Sequence, residues 1–288
     1  SCNQYGLSFN KMRLFQSELY KSVKESSVIK MLRARHNRKM YDATEQVIES
    51  EIIDAKKQKK YQNLRDRNIE LLEKMDAVHF NSTNTLWVYK KRGYTGNNAN
   101  VISISNGAIV DHKRIRKVGS SVRFGYLGPL TTHKGYNLFK NACDALWLSG
   151  EHNFEAHIFV EVSNPSSYMI CHKPYSYKEL PNVMNQFDVL VTPSEWEETF
   201  GFTVLEALSY GIPVIVSEKV GAKDLILEGK NGFVVASSVE TLKFQIADLV
   251  RHPSIIDDMN AYIEKNFKVK TMKEHSYELN ALYKKLLS

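Results

Sequence analysis

Short apolar segments alternate with helix-like segments from residue 122 to about residue 265, and this alternation constrains the fold more than any other feature. The apolar segments lack a polar residue at every second position, which is typical of strands covered on both faces. The pattern therefore predicts a doubly wound, Rossmann-like α/β domain with a parallel sheet. We expect strands at 123–127, 156–162, 189–192, 213–217 and 232–235, and helices at 136–148, 178–186 and 203–209.

The part of the chain before residue 122 has a different character. Residues 11–75 contain no proline and are rich in helix-forming residues, which predicts helices at 11–35, 43–60 and 62–75. The first strands are expected only at 77–81 and 101–105, with a helix near 85–92 between them. A doubly wound domain opens with an apolar strand and a glycine turn, which residues 1–76 do not offer. This part is thus either an incomplete first domain or a native helical appendage.

Charge is divided unevenly along the chain. Residues 1–117 hold 23 Lys and Arg against 12 Asp and Glu, whereas the remainder holds 16 against 20. The first part should therefore attract anionic partners more than the second. Its charges are explained either as the solvated face of helices or as a contact with an anionic membrane surface, where apolar residues beside the lysines would form a stripe. It lacks the interleaved aromatic residues of an RNA-binding sheet, so we expect no nucleic-acid partner.

Composition excludes several classes of protein. No apolar run approaches the roughly 18 residues of a spanning helix, and residues 1–20 contain no apolar stretch of the signal-peptide type. The three cysteines, Cys2, Cys143 and Cys171, have neither paired spacing nor nearby histidines, which argues against disulfides or structural zinc. We therefore expect a cytoplasmic protein. A location at the inner face of the membrane is compatible with this expectation.

Residues 193–211, PSEWEETFGFTVLEALSYG, carry the densest chemistry. Gly201 lies at a strand-to-helix turn where a ligand can approach the backbone, flanked by Phe200 and Phe202. The helix expected from Thr203 directs free N–H groups and the positive end of its dipole towards this turn, which suits a diphosphate.

Two glutamates flank that turn, eight residues apart. Glu206, on the helix, has the chemistry to accept hydrogen bonds from a ribose diol, and Glu198, on the loop, has that for the hydroxyls of an attached sugar. The plain alternative is that Glu198 is a solvated loop carboxylate and Glu206 a helix-surface residue. For two glutamates alone, that alternative is the better one.

The context of these glutamates changes the balance. The stretch resembles the Glu-x7-Glu motif of the family-four retaining glycosyltransferases, which have the two-Rossmann-domain fold called GT-B. A second stretch, GYLGPLTTHKG at 125–135, is similar to the family's first donor-domain strand and loop. The likeness covers roughly residues 77–288 and continues in register through Glu206-Ala207, Gly211-x-Pro213, Gly221, Asn231-Gly232 and the earlier pair Asn106-Gly107.

The resemblance implies an architecture. Residues 1–120 would be a partial, mostly helical, acceptor-side domain, and residues 121–270 the complete nucleotide-sugar-binding domain. The amphipathic helix expected at 271–287 would cross back to the first domain, as residues 271–288.

The resemblance also implies roles for single residues. Lys134 would bind the diphosphate and act with Glu198 in catalysis, and Glu206 would hold the ribose. Donor binding would further involve Gly128 on the first loop and Lys173 and Tyr175 near the nucleobase, together with Phe200, Gly201, Phe202 and Thr203.

One departure from the family affects the diphosphate. An arginine commonly follows the first-strand glycine, but this chain has Pro129, which carries neither charge nor a backbone N–H. His133, Lys173 and Arg123 are candidates for a substitute cation, although each is individually better explained as a surface charge. No Asp-x-Asp motif occurs in the sequence, so we expect no metal and no cofactor, with the helix dipole and Lys134 stabilising the diphosphate.

The implied function is transfer of a sugar, with retention of configuration, from a UDP- or GDP-type nucleotide sugar to a hydroxyl acceptor. A surface glycan or a lipid-linked glycan is the expected acceptor, within polysaccharide biosynthesis. Because these residues offer little of the acceptor-side domain that the resemblance implies, we expect the chain to bind donor yet transfer poorly or not at all unless the missing part is supplied. The alternatives are an epimerase or phosphorylase of the same fold, and a degenerate module that docks to a membrane or protein partner. The base, the sugar, the acceptor and the oligomeric state are not determined by the sequence.

Overall fold

The computed structural model of the protein describes residues 55–288, and residues 62–288 form one compact unit. The helix expected at 11–35 and most of the one at 43–60 lie outside the described residues. The helices are α1 Ala55–Glu73, α2 Thr83–Lys90, α3 Tyr136–Leu148, α4 Leu180–Val183, α5 Phe202–Ser209, α6 Val239–Arg251, α7 Ser254–Asn266 and α8 Met272–Leu287. The strands are β1 Val78–Phe80, β2 Ala99–Val101, β3 Val122–Tyr126, β4 Phe154–Ile158, β5 Met169–Cys171, β6 Val189–Thr192, β7 Val214–Ser217 and β8 Gly232–Val235.

Six strands form one parallel sheet in the order β5-β4-β3-β6-β7-β8. This is the strand order of a doubly wound Rossmann fold, so the predicted fold class is confirmed. The order reverses direction between β3 and β6, which pair through Phe124 with Val189 and Gly125 with Leu190. In open α/β sheets, ligands bind outside the carboxyl ends of the strands at such a reversal, because the two following connections diverge there.

Two apolar layers cover the sheet. On one face Phe139 and Leu146 of α3 pack with Leu242 and Ile246 of α6, and on the other Leu205 and Leu208 of α5 pack against neighbouring helices and strands. These side chains are essentially inaccessible to solvent. Burial on both faces explains why the strands read as continuous apolar runs in the sequence.

A small parallel pair, β1 and β2, precedes the large sheet and is connected through α2. Phe80 and Tyr94 pack beneath it, with ring centroids 5.5 Å apart. The segment after β2 meets the start of α8, where the Ser105 hydroxyl donates to the carbonyl of Lys270 at 2.7 Å. His275 of α8 lies 3.0 Å from the carbonyl oxygen of Ser103.

Several element predictions need correction. Residues 55–73 form one continuous helix instead of two with a break near residue 61, since no proline or glycine interrupts them. The strand expected at 101–105 is displaced to 99–101, because β1 offers only three residues to pair with and the following residues turn towards α8. The helix expected at 178–186 is reduced to a 3₁₀ turn followed by the short helix α4.

Three elements lie where none was expected: β5, α6 and α7. Strand β5 has three residues at the sheet edge, two of them exposed, so it lacks the apolar run of the inner strands. Within residues 55–288, no helix combines the length and apolar character needed to cross a bilayer. The same residues contain no group of three His, Cys, Asp or Glu side chains placed to share a metal ion.

Candidate active site

A cavity of about 290 Å³ lies at the carboxyl ends of β3 and β6, where the strand order reverses. The loops that follow these two strands and the first turn of α5 form its walls. Its lining residues are Tyr126, Leu127, Gly128, Pro129, Lys134, Val191, Thr192, Ser194, Glu198, Gly201, Phe202, Thr203 and Glu206. The fold thus brings together seven of the residues singled out in the sequence: Gly128, Lys134, Glu198, Gly201, Phe202, Thr203 and Glu206.

Lys134 and Glu198 form an ion pair across this cavity. The Nζ atom of Lys134 lies 3.0 Å from Oε1 of Glu198, and the two side chains are 36% and 13% exposed. The hydroxyl of the buried Ser194 donates to the same carboxylate oxygen. Among the residues that line the cavity, Lys134 supplies the only positive charge, so the pair leaves this part of the site close to neutral.

The first turn of α5 faces the cavity through Gly201, Phe202 and Thr203. Gly201 caps the helix with φ 102°, a backbone conformation that favours glycine, and a Cβ there would lie 3.0 Å from Cγ1 of Val220. The first N–H groups of a helix have no intrahelical acceptor. Positive partial charge is therefore directed into a cavity that the lysine also enters.

Gly135 lies where the two loops that form the cavity contact each other. It has φ 77°, and a Cβ there would lie 1.9 Å from the carbonyl oxygen of Pro193. The backbone amides of Glu195 and Trp196 both donate to the carbonyl of His133 at 3.0 Å. Close approach and hydrogen bonding thus hold the Lys134 loop against the loop that carries Glu198.

Glu206 lies on α5 and is buried, with 8% of its surface exposed. It lines the 290 Å³ cavity described above, called the main cavity below, and also a second cavity of about 160 Å³ that is lined by Tyr177 and Tyr210 as well. Burial raises the pKa of Glu206 because the charged form loses its hydration, and a hydrogen bond with Tyr177 partly offsets that effect. The helix-surface interpretation of Glu206 is therefore wrong.

Three further predicted residues lie elsewhere. Phe200 is 2% exposed in the core, where it contacts Phe202 edge-on with ring centroids 5.5 Å apart. Lys173 is exposed, and Tyr175 packs edge-on against Phe159 at 5.7 Å. None of Phe200, Lys173 and Tyr175 is among the residues that line the main cavity.

The candidate substitutes for the family's arginine lie in different parts of the structure. Arg123 cannot serve, because it forms an ion pair of 2.6 Å with Asp188 at the amino ends of β3 and β6, opposite the cavity. His133 borders the site through its backbone but does not line the cavity. Pro129 does line it, and its carbonyl accepts a hydrogen bond of 2.8 Å from the hydroxyl of Tyr126.

Sequence reasoning missed some residues around the site. Tyr126 and Ser194 line the main cavity, and the ring of Tyr210 stacks on His112 with centroids 4.6 Å apart beside the second cavity. Tyr126 and Ser194 are the last residue of β3 and the second residue after β6, so the strand-end rule alone would have indicated them. Nothing local in the sequence points to His112, which depends on packing between distant segments.

Comparison with known proteins adds to this geometry. Residues 165–269 match the family model described as "Glycosyl transferases group 1". The chain is 36% identical over 58 residues to spore coat protein SA of Bacillus subtilis, covering 20% of this chain and 15% of that protein. It is 31% identical over 88 residues to the D-inositol 3-phosphate glycosyltransferase of Arthrobacter sp., covering 31% of this chain and 21% of that enzyme.

A solved structure, Anabaena Alr3699/HepE in complex with UDP and glucose, superposes with a TM-score of 0.61 at 14% identity. The match covers 77% of this chain and 67% of that one, and at this identity it bears on the fold alone. The stretches shared with the two curated relatives are about a fifth or less of their lengths. Residues 165–269 are thus similar to the glycosyl transferases group 1 family, and the fold is similar to that of the solved structure.

Proposed function

We propose that this chain binds a nucleoside-diphosphate sugar and is the donor side of a retaining glycosyltransferase. The observation that carries the proposal is the convergence of Lys134, Glu198, Glu206 and the amino end of α5 on one cavity at the strand reversal. The family match and the two glycosyltransferase-like sequence stretches support the same class of reaction.

The diphosphate would lie against the first amides of α5 and the ammonium of Lys134. In the unliganded site that ammonium is paired with Glu198 at 3.0 Å. A diphosphate carries more negative charge than one carboxylate, so it competes effectively for the lysine. Exchange of partners would release Glu198 to accept hydrogen bonds from the hydroxyls of the sugar, so one event prepares both groups.

Glu206 would hold the ribose. An ionised carboxylate accepts two hydroxyl hydrogen bonds, which matches a vicinal diol. Burial disfavours ionisation of Glu206 in the unliganded protein, and ribose hydroxyls would replace the lost hydration. The nucleobase would extend towards the second cavity, where Tyr177 and Tyr210 offer aromatic rings.

Departure of the nucleoside diphosphate develops negative charge on its phosphate oxygens. Preorganised donors aimed at that charge stabilise the transition state by about 3 kcal/mol each. Here they would be the α5 amides and Lys134, with Pro129 in place of a second cation. Retention of configuration is proposed from the family resemblance, since it depends on where the acceptor hydroxyl meets the sugar.

The acceptor and the cellular setting are proposed from the family resemblance and from the charge of the first part of the chain. A growing surface glycan or its lipid carrier fits the family, and the excess of Lys and Arg in residues 1–117 would suit an anionic membrane surface at the cytoplasmic side.

Isothermal titration calorimetry with UDP, GDP and ADP tests donor binding. We expect one of the three to bind and its nucleotide sugar to bind more tightly, and product analysis of a transfer assay then distinguishes transfer from epimerisation. Absence of heat with all three diphosphates and with UDP-glucose, GDP-mannose and ADP-glucose would contradict the proposal.

A second candidate is a module that has lost transfer activity and works by docking to a partner. The observation in its favour is Pro129, which leaves Lys134 as the only cation lining the cavity. Nucleotide binding without transfer of the sugar to any hydroxyl acceptor would support this candidate.

A further inference from the structure

The loop that carries Glu198 is held from behind by the first turn of α2, which lies more than 110 residues earlier in the chain. Ser82, the N-cap of α2, and Asn84 and Thr85 of its first turn form side-chain hydrogen bonds to the loop. Ser82 and Asn84 are almost completely buried, at 1% and 3% exposure. None of the three lines the cavity that contains Glu198.

Asn84 uses its whole amide group in these contacts. Its Nδ2 donates to Oε2 of Glu197 at 3.0 Å and to the carbonyl of Lys219 at 3.0 Å, and it lies 3.5 Å from the carbonyl oxygen of Glu198. Its Oδ1 accepts from Nζ of Lys223 at 3.1 Å. Both amide hydrogens and the oxygen are therefore engaged, so the side chain has a single suitable orientation.

The carbonyl of Lys219 connects Asn84 to the backbone of Glu198. It also accepts from the amide of Glu198 at 2.9 Å, while the amide of Gly221 donates to the carbonyl of Glu198 at 3.1 Å. Asn84 thus secures both the residue before Glu198 and the segment against which Glu198 pairs.

The next residue of the loop is held by hydroxyl groups. The carbonyl of Thr199 accepts from Oγ of Ser82 at 2.7 Å and from Oγ1 of Thr85 at 2.9 Å. The fit is close, since a Cβ on Gly221 would lie 2.3 Å from the Thr199 carbonyl oxygen and 2.5 Å from Oγ of Ser82. Residues 197 and 199 are therefore fixed on either side of Glu198.

We infer that Asn84, helped by Ser82 and Thr85, is a positioning residue that sets the backbone of Glu198 so that its carboxylate meets the donor sugar. This inference rests on the proposed function for the identity of the ligand. The contacts themselves are independent of it. Asn84 acts on the sugar end of the donor, because the other proposed donor contacts, Lys134 and Glu206, lie on different elements.

The substitution Asn84→Asp tests this with little change of volume. It replaces the donating NH₂ with a carboxylate oxygen that faces the Glu197 carboxylate and the Lys219 carbonyl, so attraction becomes repulsion. Thr83→Val is the matched control, since Thr83 lies in the same turn but its amide and hydroxyl donate to Asp224 and not to the loop.

Hydrogen exchange gives a readout that needs no ligand. We expect the Glu198 and Gly221 amides to exchange at least about tenfold faster in Asn84→Asp, with the amides of β3 and β6 unchanged. In Thr83→Val the Glu198 amide should keep its wild-type rate. Wild-type exchange at Glu198 in Asn84→Asp would overturn the inference, whether or not the protein binds nucleotides.

Calorimetry gives the functional readout, with the pairs UDP and UDP-glucose, GDP and GDP-mannose, and ADP and ADP-glucose. For the pair that binds, Asn84→Asp should reduce the preference for the nucleotide sugar over the free diphosphate by about tenfold and leave diphosphate affinity within twofold. Combining Asn84→Asp with Glu197→Gln should restore the preference, since the Gln amide can donate to Asp. An unchanged preference, or an equal loss for both ligands, would overturn the inference.

Two further variants separate the test of Asn84 from the test of the proposed function. Thr85→Val removes one hydrogen bond to the loop, at a partly exposed position, so it should show the same effect at smaller size even if Asn84→Asp folds poorly. In a Glu198→Ala background, Asn84→Asp should cause no further loss of preference, because the carboxylate it positions is gone. Failure of the wild-type protein to bind any of the six ligands would contradict the proposed function, and the exchange rates would still decide the role of Asn84.

Discussion

The ammonium of Lys134 lies 3.0 Å from the carboxylate of Glu198, so the two charged groups proposed to bind the diphosphate and the sugar attached to it neutralise each other in the unliganded site. Under the proposed function, donor binding breaks this pair. Because both side chains are partly shielded from water, the pair competes directly with an incoming diphosphate.

Glu198→Gln removes that competition without changing the shape of the side chain. We expect free nucleoside diphosphate to bind about two- to fivefold more tightly, since a surface-type ion pair contributes up to about 1 kcal/mol. The nucleotide sugar should lose its advantage over the diphosphate, because the carboxylate no longer accepts its hydroxyls. Calorimetry with both ligands checks this, and weaker diphosphate binding would show that Glu198 does not restrain Lys134.

Glu206→Gln separates nucleotide binding from stability. The substitution should weaken nucleoside-diphosphate binding by about 1.5–3 kcal/mol, because charged hydrogen bonds to the ribose are lost. Burial raises the pKa of Glu206, so the folded state favours its protonated form. The stability that folding gains from this protonated form is lost as pH rises through the raised pKa. The neutral variant should therefore melt at a higher temperature than wild type at pH 7.5, with a smaller difference at pH 4.5. Unchanged affinity would reject the ribose contact.

Pro129→Arg tests whether the missing cation limits diphosphate binding. A guanidinium at this cavity-lining position should tighten diphosphate binding about tenfold, through added charged hydrogen bonds. Pro129→Ala is the control, because it removes the ring without adding charge. Equal affinities of the two variants would mean that the cavity does not present the phosphates to residue 129.

Gly135→Ala should destabilise the whole domain. The residue has φ 77° and a Cβ would lie 1.9 Å from the Pro193 carbonyl oxygen, so the two cavity loops would be forced apart at a cost of about 3 kcal/mol or more. Gly229→Ala is a matched control with φ 68° and no atom within 4 Å of its Cβ, and it should lose only about 1 kcal/mol. Urea unfolding measures both, and equal losses would contradict the close approach.

The burial of His157 predicts that the folded protein loses stability in mild acid. Its ring lies 2.9 Å from His172 and 3.0 Å from Glu155, and burial lowers its pKa despite the nearby carboxylate. Burial also lowers the pKa of His172. Folding therefore favours neutral rings, and stability is lost as pH falls from about 6.5 through the lowered pKa values, since the unfolded chain binds protons more readily.

The variant His157→Gln should show a smaller decrease in urea midpoint between pH 7.5 and pH 5 than wild type. His252→Gln is the control, because that side chain lies just after α6 and is 62% exposed, so its removal should leave the decrease unchanged. The charged groups Arg123 and Asp188 also act on His157, so salt should be held constant across the series. A wild-type pH profile in His157→Gln would refute the assignment.

The sheet and the centre of the site were predictable from sequence for physical reasons. Inner strands such as β6 are buried on both faces, so their apolar runs are unambiguous, and Gly201 lies immediately before α5 in the loop that follows β6. The same logic failed at β5, where edge exposure removes the apolar run, and at Phe200, whose burial separates it from the ligand face of its own motif.

The role of Asn84 could not be predicted from local pattern. It follows Ser82 in what reads as an ordinary helix start, and its partners Glu197 and Lys219 lie more than 110 residues away. Contacts of that separation depend on the completed topology. That Lys134 and Glu198 line one cavity was predictable only because two separate stretches resemble one family, and their ion pair was not predicted.

The hydrogen bonds from Ser82 and Thr85 to the Thr199 carbonyl also decide where this protein can be cut. An expression boundary placed at β3 would keep every residue that lines the cavity at the strand reversal, but it would remove the residues that anchor the loop carrying Glu198. In such a fragment this loop would lack its hydrogen bonds from α2, so we expect Glu198 to be less well positioned. A fragment that keeps these anchors must include β1, which starts some forty residues upstream of the large sheet.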